Sequence, residues 1–191
     1  MHLPRLLLVA ALGPALLAAA ERPLKIDHSR SFVEVDVKST LKNFTAHLDT
    51  YEVEMNVDDS GKIKNAVLQF KFTDLRTGDD KRNSDMIRWL GGGAPTGKFE
   101  LGILAVAPDG QGQVTGKLTF HGTTKLIEFP VNVARDGGTY TITGNPTIDY
   151  RDWDLKVIKM GLKYVLNTEV GHDVRIRFKF VGAPGEAATT R

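Results

Sequence analysis

Cysteine is absent from this 191-residue chain. No disulfide, thiolate metal site or catalytic thiol can form, so stability has to come from the packed core. The same absence excludes a lipidated cysteine anchor. Net charge is nearly missing too: beyond residue 20 the chain carries 24 basic and 23 acidic side chains, a balance unlike that of a nucleic-acid-binding surface. Long apolar runs are lacking except at residues 6–20, roughly 15 residues and too short to span a bilayer comfortably. That run follows Arg5 and ends in Ala18-Ala19-Ala20, the pattern of a cleaved export signal. The expected organisation is a signal peptide at 1–20, one domain at 21–182 and a flexible tail at 183–191, with no stable membrane insertion.

Enzyme signatures are also missing. There is no P-loop, dinucleotide fingerprint or Gly-x-Ser-x-Gly elbow. His28, His47, His121 and His172 are scattered, and none has the spacing of His-Glu-x-x-His. His121, beside a turn, and His172, ahead of the last strand, read as solvated residues. Acidic groups at Asp79-Asp80 and at Asp149, Asp152 and Asp154 have the makings of an acid–base pair or a calcium site, but caps and solvated loops are the simpler account. No catalytic residue, metal ligand or cofactor is assigned.

What the sequence has in abundance is period-two alternation. Along residues 114–133, Val114, Gly116, Leu118 and Phe120 alternate with polar residues. His121-Gly122-Thr123-Thr124 turns the chain, and Ile127, Phe129, Val131 and Val133 continue the apolar face on the return. This is a β-hairpin with one greasy side. Its run Val-x-Gly-x-Leu-Thr-Phe-x-Gly-x-Thr-Lys resembles the signature hairpin of the YceI-like family of bacterial periplasmic proteins. The resemblance implies an extended lipocalin-like β-barrel, located in the periplasm, whose interior holds a polyisoprenoid or similar lipid.

Other stretches agree. Val33, Val35 and Val37 alternate with charged residues; Phe44, Ala46 and Leu48 change phase to Tyr51, Val53, Met55 and Val57, which places a bulge or bend near Asp49-Thr50. Asp58-Asp59-Ser60-Gly61 is a turn before Ala66, Leu68, Phe70 and Phe72. Residues 77–90 switch to helical spacing and end at Gly91-Gly92-Gly93; of the family's Arg-Asp-x-His-Leu pattern only Arg82 and the apolar Met86 are kept. Lys98-Phe99 with Leu101 and Ile103 resumes the sheet. Gly144-Asn145-Pro146 bends a strand containing Tyr140, Ile142 and Ile148. Asp152-Trp153-Asp154-Leu155 resembles the family's Asp-Phe-Gly-aliphatic motif with Asp154 in place of glycine. Val174, Ile176, Phe178 and Phe180 mark the last strand.

The expected fold is all-β: an extended antiparallel barrel of about eight strands with one or two short helical insertions, which removes the exposed edges an open sheet would carry. Val35, Phe44, Phe70, Phe72, Leu101, Ile103, Leu118, Phe129, Val131, Ile148, Ile176 and Phe178 are the expected ligand-binding lining. Lys71, Lys117, Glu128 and Arg177 are expected to face water. The apolar stretch from Val157 to Leu166 is expected to form a loop with a short helix over one mouth, and the ligand is expected to enter past residues 150–170. There, Met160, Leu162, Tyr164 and Leu166 would cover the opening, and Arg151, Asp152, Lys156 and Lys159 would meet a ligand's polar end; the helix near Arg82 and Met86 is the rival entrance. The partner expected from the resemblance is a long-chain lipid, held by a carrier that is not an enzyme. The alternatives are a structural or stress-related secreted domain with a filled core and, more remotely, a catalytic barrel. The sequence leaves open both the identity of the lipid and the oligomeric state, a dimer included.

Overall fold

The alternating stretches become staves. The computed structural model describes residues 21–40, 42–156, 159–161 and 167–185. Its strands are β1 (Arg22–Ile26), β2 (Phe32–Ser39), β3 (Phe44–Leu48), β4 (Tyr51–Val57), β5 (Ile63–Lys71), β6 (Leu75–Arg76), β7 (Thr96–Val106), β8 (Gln111–Phe120), β9 (Thr123–Asp136), β10 (Thr139–Gly144), β11 (Thr147–Asp149), β12 (Lys159–Gly161) and β13 (Asn167–Pro184). One helix, α1 (Asp80–Trp89), and two short 3-10 turns complete the described residues.

The sheet runs antiparallel through β1, β4, β5, β7, β8, β9, β10 and β13, and β13 then pairs β1 through Leu24↔Pro184 and Ile26↔Gly182. This is a closed eight-stranded barrel. Four staves bend midway, so β1 continues as β2, β3 as β4, β5 as β6 and β10 as β11; the lower halves β2, β3 and β6 pair beside one another and lengthen the barrel. The bends fall where turn chemistry or a phase change occurs, at Asp49-Thr50 and at Asn145-Pro146.

Three expectations change. β1 is an additional strand: it is only five residues long and shows one buried apolar position, Leu24. The last strand runs on to Pro184, past the expected tail boundary at residue 183, because Ala183 and Pro184 pair with Lys25 and Leu24. Part of the stretch expected to be a loop with a short helix is a strand, while residues 157–158 and 162–166 lie outside the described residues. Tyr150–Trp153 is a 3-10 turn, and Lys159–Gly161 pairs with residues 167–169 as an extension of the sheet. Leu162, Tyr164 and Leu166, the side chains of Lys159 and Met160, the expected signal segment 1–20 and the end of the expected tail, 186–191, lie outside the described residues.

On the outer face, Arg177 ties β13 to β2. Its Nε lies 2.7 Å from Asp36 Oδ2 and its Nη2 2.8 Å from Glu34 Oε2, while Thr45 donates to Asp36 Oδ1 at 2.7 Å. Hydrogen bonds from Arg177 and Thr45 hold the Asp36 carboxyl below its ordinary value of 3.8. A lowered folded-state value means that this contribution to stability is complete above the ordinary value and disappears as acid protonates the carboxylate. Arg177→Met is therefore expected to lower stability at pH 7 by at most about 1 kcal/mol. The gap from the unmutated chain should close toward pH 2, as read from urea melts across that range; a gap that does not change with pH would contradict the assignment.

Candidate functional site

Inward-facing apolar side chains from every stave leave the centre of the barrel open. The cavity has a volume of about 270 Å³ and an almost entirely apolar lining. Along β13 it is bordered from Val170 through Val174, Ile176 and Phe178 to Phe180. At about 3.3 Å per residue, with strands tilted by about 40°, that stretch corresponds to roughly 25 Å along the barrel axis. So small a volume drawn out over such a length is a bore about one hydrocarbon chain wide.

Aromatic rings keep it open by lying against the wall instead of standing in the lumen. A Cβ added at Gly97 would fall 2.2 Å from the Phe70 ring, one at Gly116 2.4 Å from Phe99, and one at Gly144 2.5 Å from Phe178. Each ring thus occupies the space left by a neighbouring strand's missing side chain, and rings pack against rings along the wall, Phe70 with Phe72 at 5.1 Å and Phe129 with Phe178 at 6.0 Å.

One end is plugged. Leu24, Val57 and Tyr140 are at most 4% exposed, and the Tyr140 hydroxyl donates to the Gly61 carbonyl at 2.9 Å. None of the three borders the cavity. The other end carries the polar groups: Thr77, Arg82 and Asp85 line the cavity there, beside Phe44, Met86 and Trp89. Asp79 caps α1 by accepting from the Arg82 backbone N–H at 2.8 Å, which aims the Arg82 side chain back over the mouth. The Arg82 guanidinium lies 4.1 Å from the centre of the Phe44 ring and donates to the Thr77 carbonyl at 3.2 Å. Asp85 is held by Lys81 at 2.6 Å and Arg88 at 2.9 Å, and the Lys81 hydrogen bond keeps its carboxyl below the ordinary value.

The two segments that the sequence offers as rival entrances meet at one end of the barrel. The Trp89 indole on α1 donates to the Lys156 carbonyl at 2.9 Å, and its ring meets Tyr150 edge-on at 4.9 Å. Beneath them Trp153, 1% exposed, stacks on Phe120 at 4.6 Å and donates to the Leu118 carbonyl at 3.1 Å. Arg151, Asp152 and Lys156 do not border the cavity; among the described residues its polar lining here comes from Thr77 and from Arg82 and Asp85 of α1.

Of the twelve expected lining residues, Val35, Phe44, Phe70, Phe72, Leu101, Leu118, Phe129, Val131, Ile148, Ile176 and Phe178 border the cavity. Ile103 does not; it is 66% exposed. A bulge between Leu101 and Ile103 shifts the register against β8, so the inward position after Leu101 is Leu104. Lys71, Lys117 and Glu128 are exposed, and Arg177 lies in the outer-face network. His121 is not simply solvated: its Nδ1 lies 3.0 Å from the Trp153 carbonyl. Met86, expected only as part of a rival entrance, also borders the cavity, as do Trp89 and Leu104, which the alternation does not single out.

The model of the YceI-like domain matches residues 24–182. The chain belongs to the YceI-like family. Among solved structures it is similar to BcnA of Burkholderia cenocepacia, with 22% identity and a TM-score of 0.66, over 82% of this chain and 99% of that one. It is also similar to the YCEI protein of Campylobacter jejuni, with 14% identity and a TM-score of 0.59, over 77% of this chain and 88% of that one. At these identities the likeness is one of fold. No match was found among curated protein sequences. Asp154, at the position where the resemblance implies glycine, has an unusual backbone conformation. Its φ is 61°, the left-handed conformation that glycine adopts at least cost and aspartate adopts more readily than most residues.

Proposed function

We propose that this YceI-like barrel is a carrier that holds one long, slender lipid tail, isoprenoid or acyl, and works in the periplasm after export. The observation behind this is the bore itself, about 270 Å³ and almost without polar lining. Such a tunnel favours a hydrocarbon chain by roughly 25 cal/mol per Å² of apolar surface buried. A polar head cannot follow the tail without an uncompensated desolvation cost, so it stays at the mouth with Thr77, Arg82 and Asp85. The reading is of a binder and not an enzyme, and it needs no cofactor: these three polar side chains sit together at one end, and Arg82 and Asp85 are engaged by neighbouring groups.

Organic extracts of purified protein, analysed by mass spectrometry, test this. One long-chain amphiphile per chain is expected. Extracts free of lipid, from protein that also takes up neither a polyprenol nor a long-chain fatty acid, would overturn it. The periplasmic half of the reading rests on Arg5 and the Ala18-Ala19-Ala20 ending. Amino-terminal sequencing of protein from the native envelope should begin at Glu21; an intact Met1 recovered in membranes would contradict export as a soluble chain.

A further inference from the structure

Asp149 and Asp173 stand directly opposite each other in the ladder between β11 and β13. Two like charges so placed destabilise a sheet unless something positive lies between them. β13 is irregular between Val170 and Val174, and His172 reaches the same side as its neighbour Asp173, against strict alternation. His172 Nδ1 lies 3.2 Å from Asp149 Oδ2 and 3.2 Å from Asp173 Oδ1. The three donor atoms all lie within 4.8 Å of one another, the one such grouping among the described residues.

These separations match those of ligands around a small cation. Metal–ligand bonds of about 2.0–2.2 Å in tetrahedral array place neighbouring donors about 3.3–3.6 Å apart. Two of the three edges are already near that length. The site is also accessible, with the His172 side chain 41% exposed. Arg151 competes for it: its Nε is 2.9 Å from Asp149 Oδ1 and its Nη2 2.5 Å from Oδ2, which keeps this carboxylate ionised and shares it with any incoming ion.

We propose that Asp149, His172 and Asp173 form a binding site for a first-row divalent transition cation such as Zn²⁺, with water completing the coordination. An imidazole among the donors selects such ions over Ca²⁺ and Mg²⁺, which prefer oxygen alone. The ion clips β11 to β13 just beside Tyr150 and Val170, both of which border the tunnel. The proposal does not rest on the lipid reading.

Tag-free protein, freed of metal with a chelator and titrated with ZnCl2 at pH 7.5 by calorimetry, should bind one ion per chain. Zn²⁺ at a hundredfold excess over Kd should raise Tm by about 5–10 °C. His172→Ala and Asp173→Asn should each weaken binding at least tenfold, His47→Ala should leave it unchanged, and Arg151→Ala should tighten it by freeing Asp149. In the unmutated protein, Co²⁺ should shift the imidazole proton resonances of His172 before those of His28, His47 or His121, a readout that does not depend on how the variants fold. No binding heat, binding indifferent to both His172→Ala and Asp173→Asn, or Co²⁺ shifts spread equally over the histidines would overturn the site.

Discussion

Lipid loading should be lost in Phe70→Asp and preserved in Lys71→Asp. The two residues are adjacent on one strand and differ by the face they occupy: Phe70 borders the tunnel, while Lys71 is exposed. A carboxylate at position 70 would sit among Phe72, Leu68 and the other apolar wall residues. A tail entering the bore would then have to strip water from an unpaired charge, at a cost of several kcal/mol. At position 71 the same carboxylate stays in water and changes only the local charge. The measurement is the lipid-to-protein ratio after extraction, with circular dichroism confirming that both variants are folded. Equal losses in two folded variants would mean that the strand's inward face does not contact the ligand.

Trp153→Ala should be the most destabilising single substitution of a side chain outside the tunnel wall, by about 3–5 kcal/mol in urea unfolding. Trp153 is 1% exposed, stacks on Phe120 at 4.6 Å and bonds the Leu118 carbonyl at 3.1 Å. Alanine would leave a void under Leu90, Tyr150 and Leu155, the cluster that fastens the mouth segment to the barrel. Trp153→Phe keeps most of the stack and loses the hydrogen bond, so about 1 kcal/mol is expected. If alanine cost no more than phenylalanine, the segment would not be anchored through this ring.

Much of this architecture can be read from the chain because alternation and turn chemistry report directly on a sheet with one apolar face. The hairpin of β8 and β9, the break at Asp49-Thr50 and the helix capped by Asp79 all follow from short-range pattern. Ile103 shows where pattern fails. A bulge adds one residue to one strand and reverses every later side chain, and nothing in Leu-Gly-Ile-Leu says on which side of Gly102 the register slips. β1 escapes notice for another reason: its pairing is with Pro184 and Val57, distant in sequence, and five residues leave too few repeats for a period to emerge. Most of the tunnel wall was legible, since Phe44, Phe70 and Phe178 sit on the apolar phase. Charge next to apolar residues points to Arg151, Asp152, Lys156 and Lys159 as the polar rim; the first three do not border the cavity, and the side chain of Lys159 lies outside the described residues. Only the three-dimensional contact between Trp89 and Lys156 shows that α1 shares that mouth and supplies its cation. His172 could not be paired with Asp149 in sequence, as the register between β11 and β13 is set by the bend at Pro146.

The rings seated over Gly97, Gly116 and Gly144 make the calibre of the tunnel a property of its backbone. A larger inward residue would fill such a bore directly, but here a single methyl added beneath a ring would lift that ring off the wall and throttle the passage from behind. Gly97→Ala, Gly116→Ala and Gly144→Ala would thus each narrow the cavity without changing the outer surface or the aromatic wall. The width of this cavity is therefore set partly by positions that lie behind its wall.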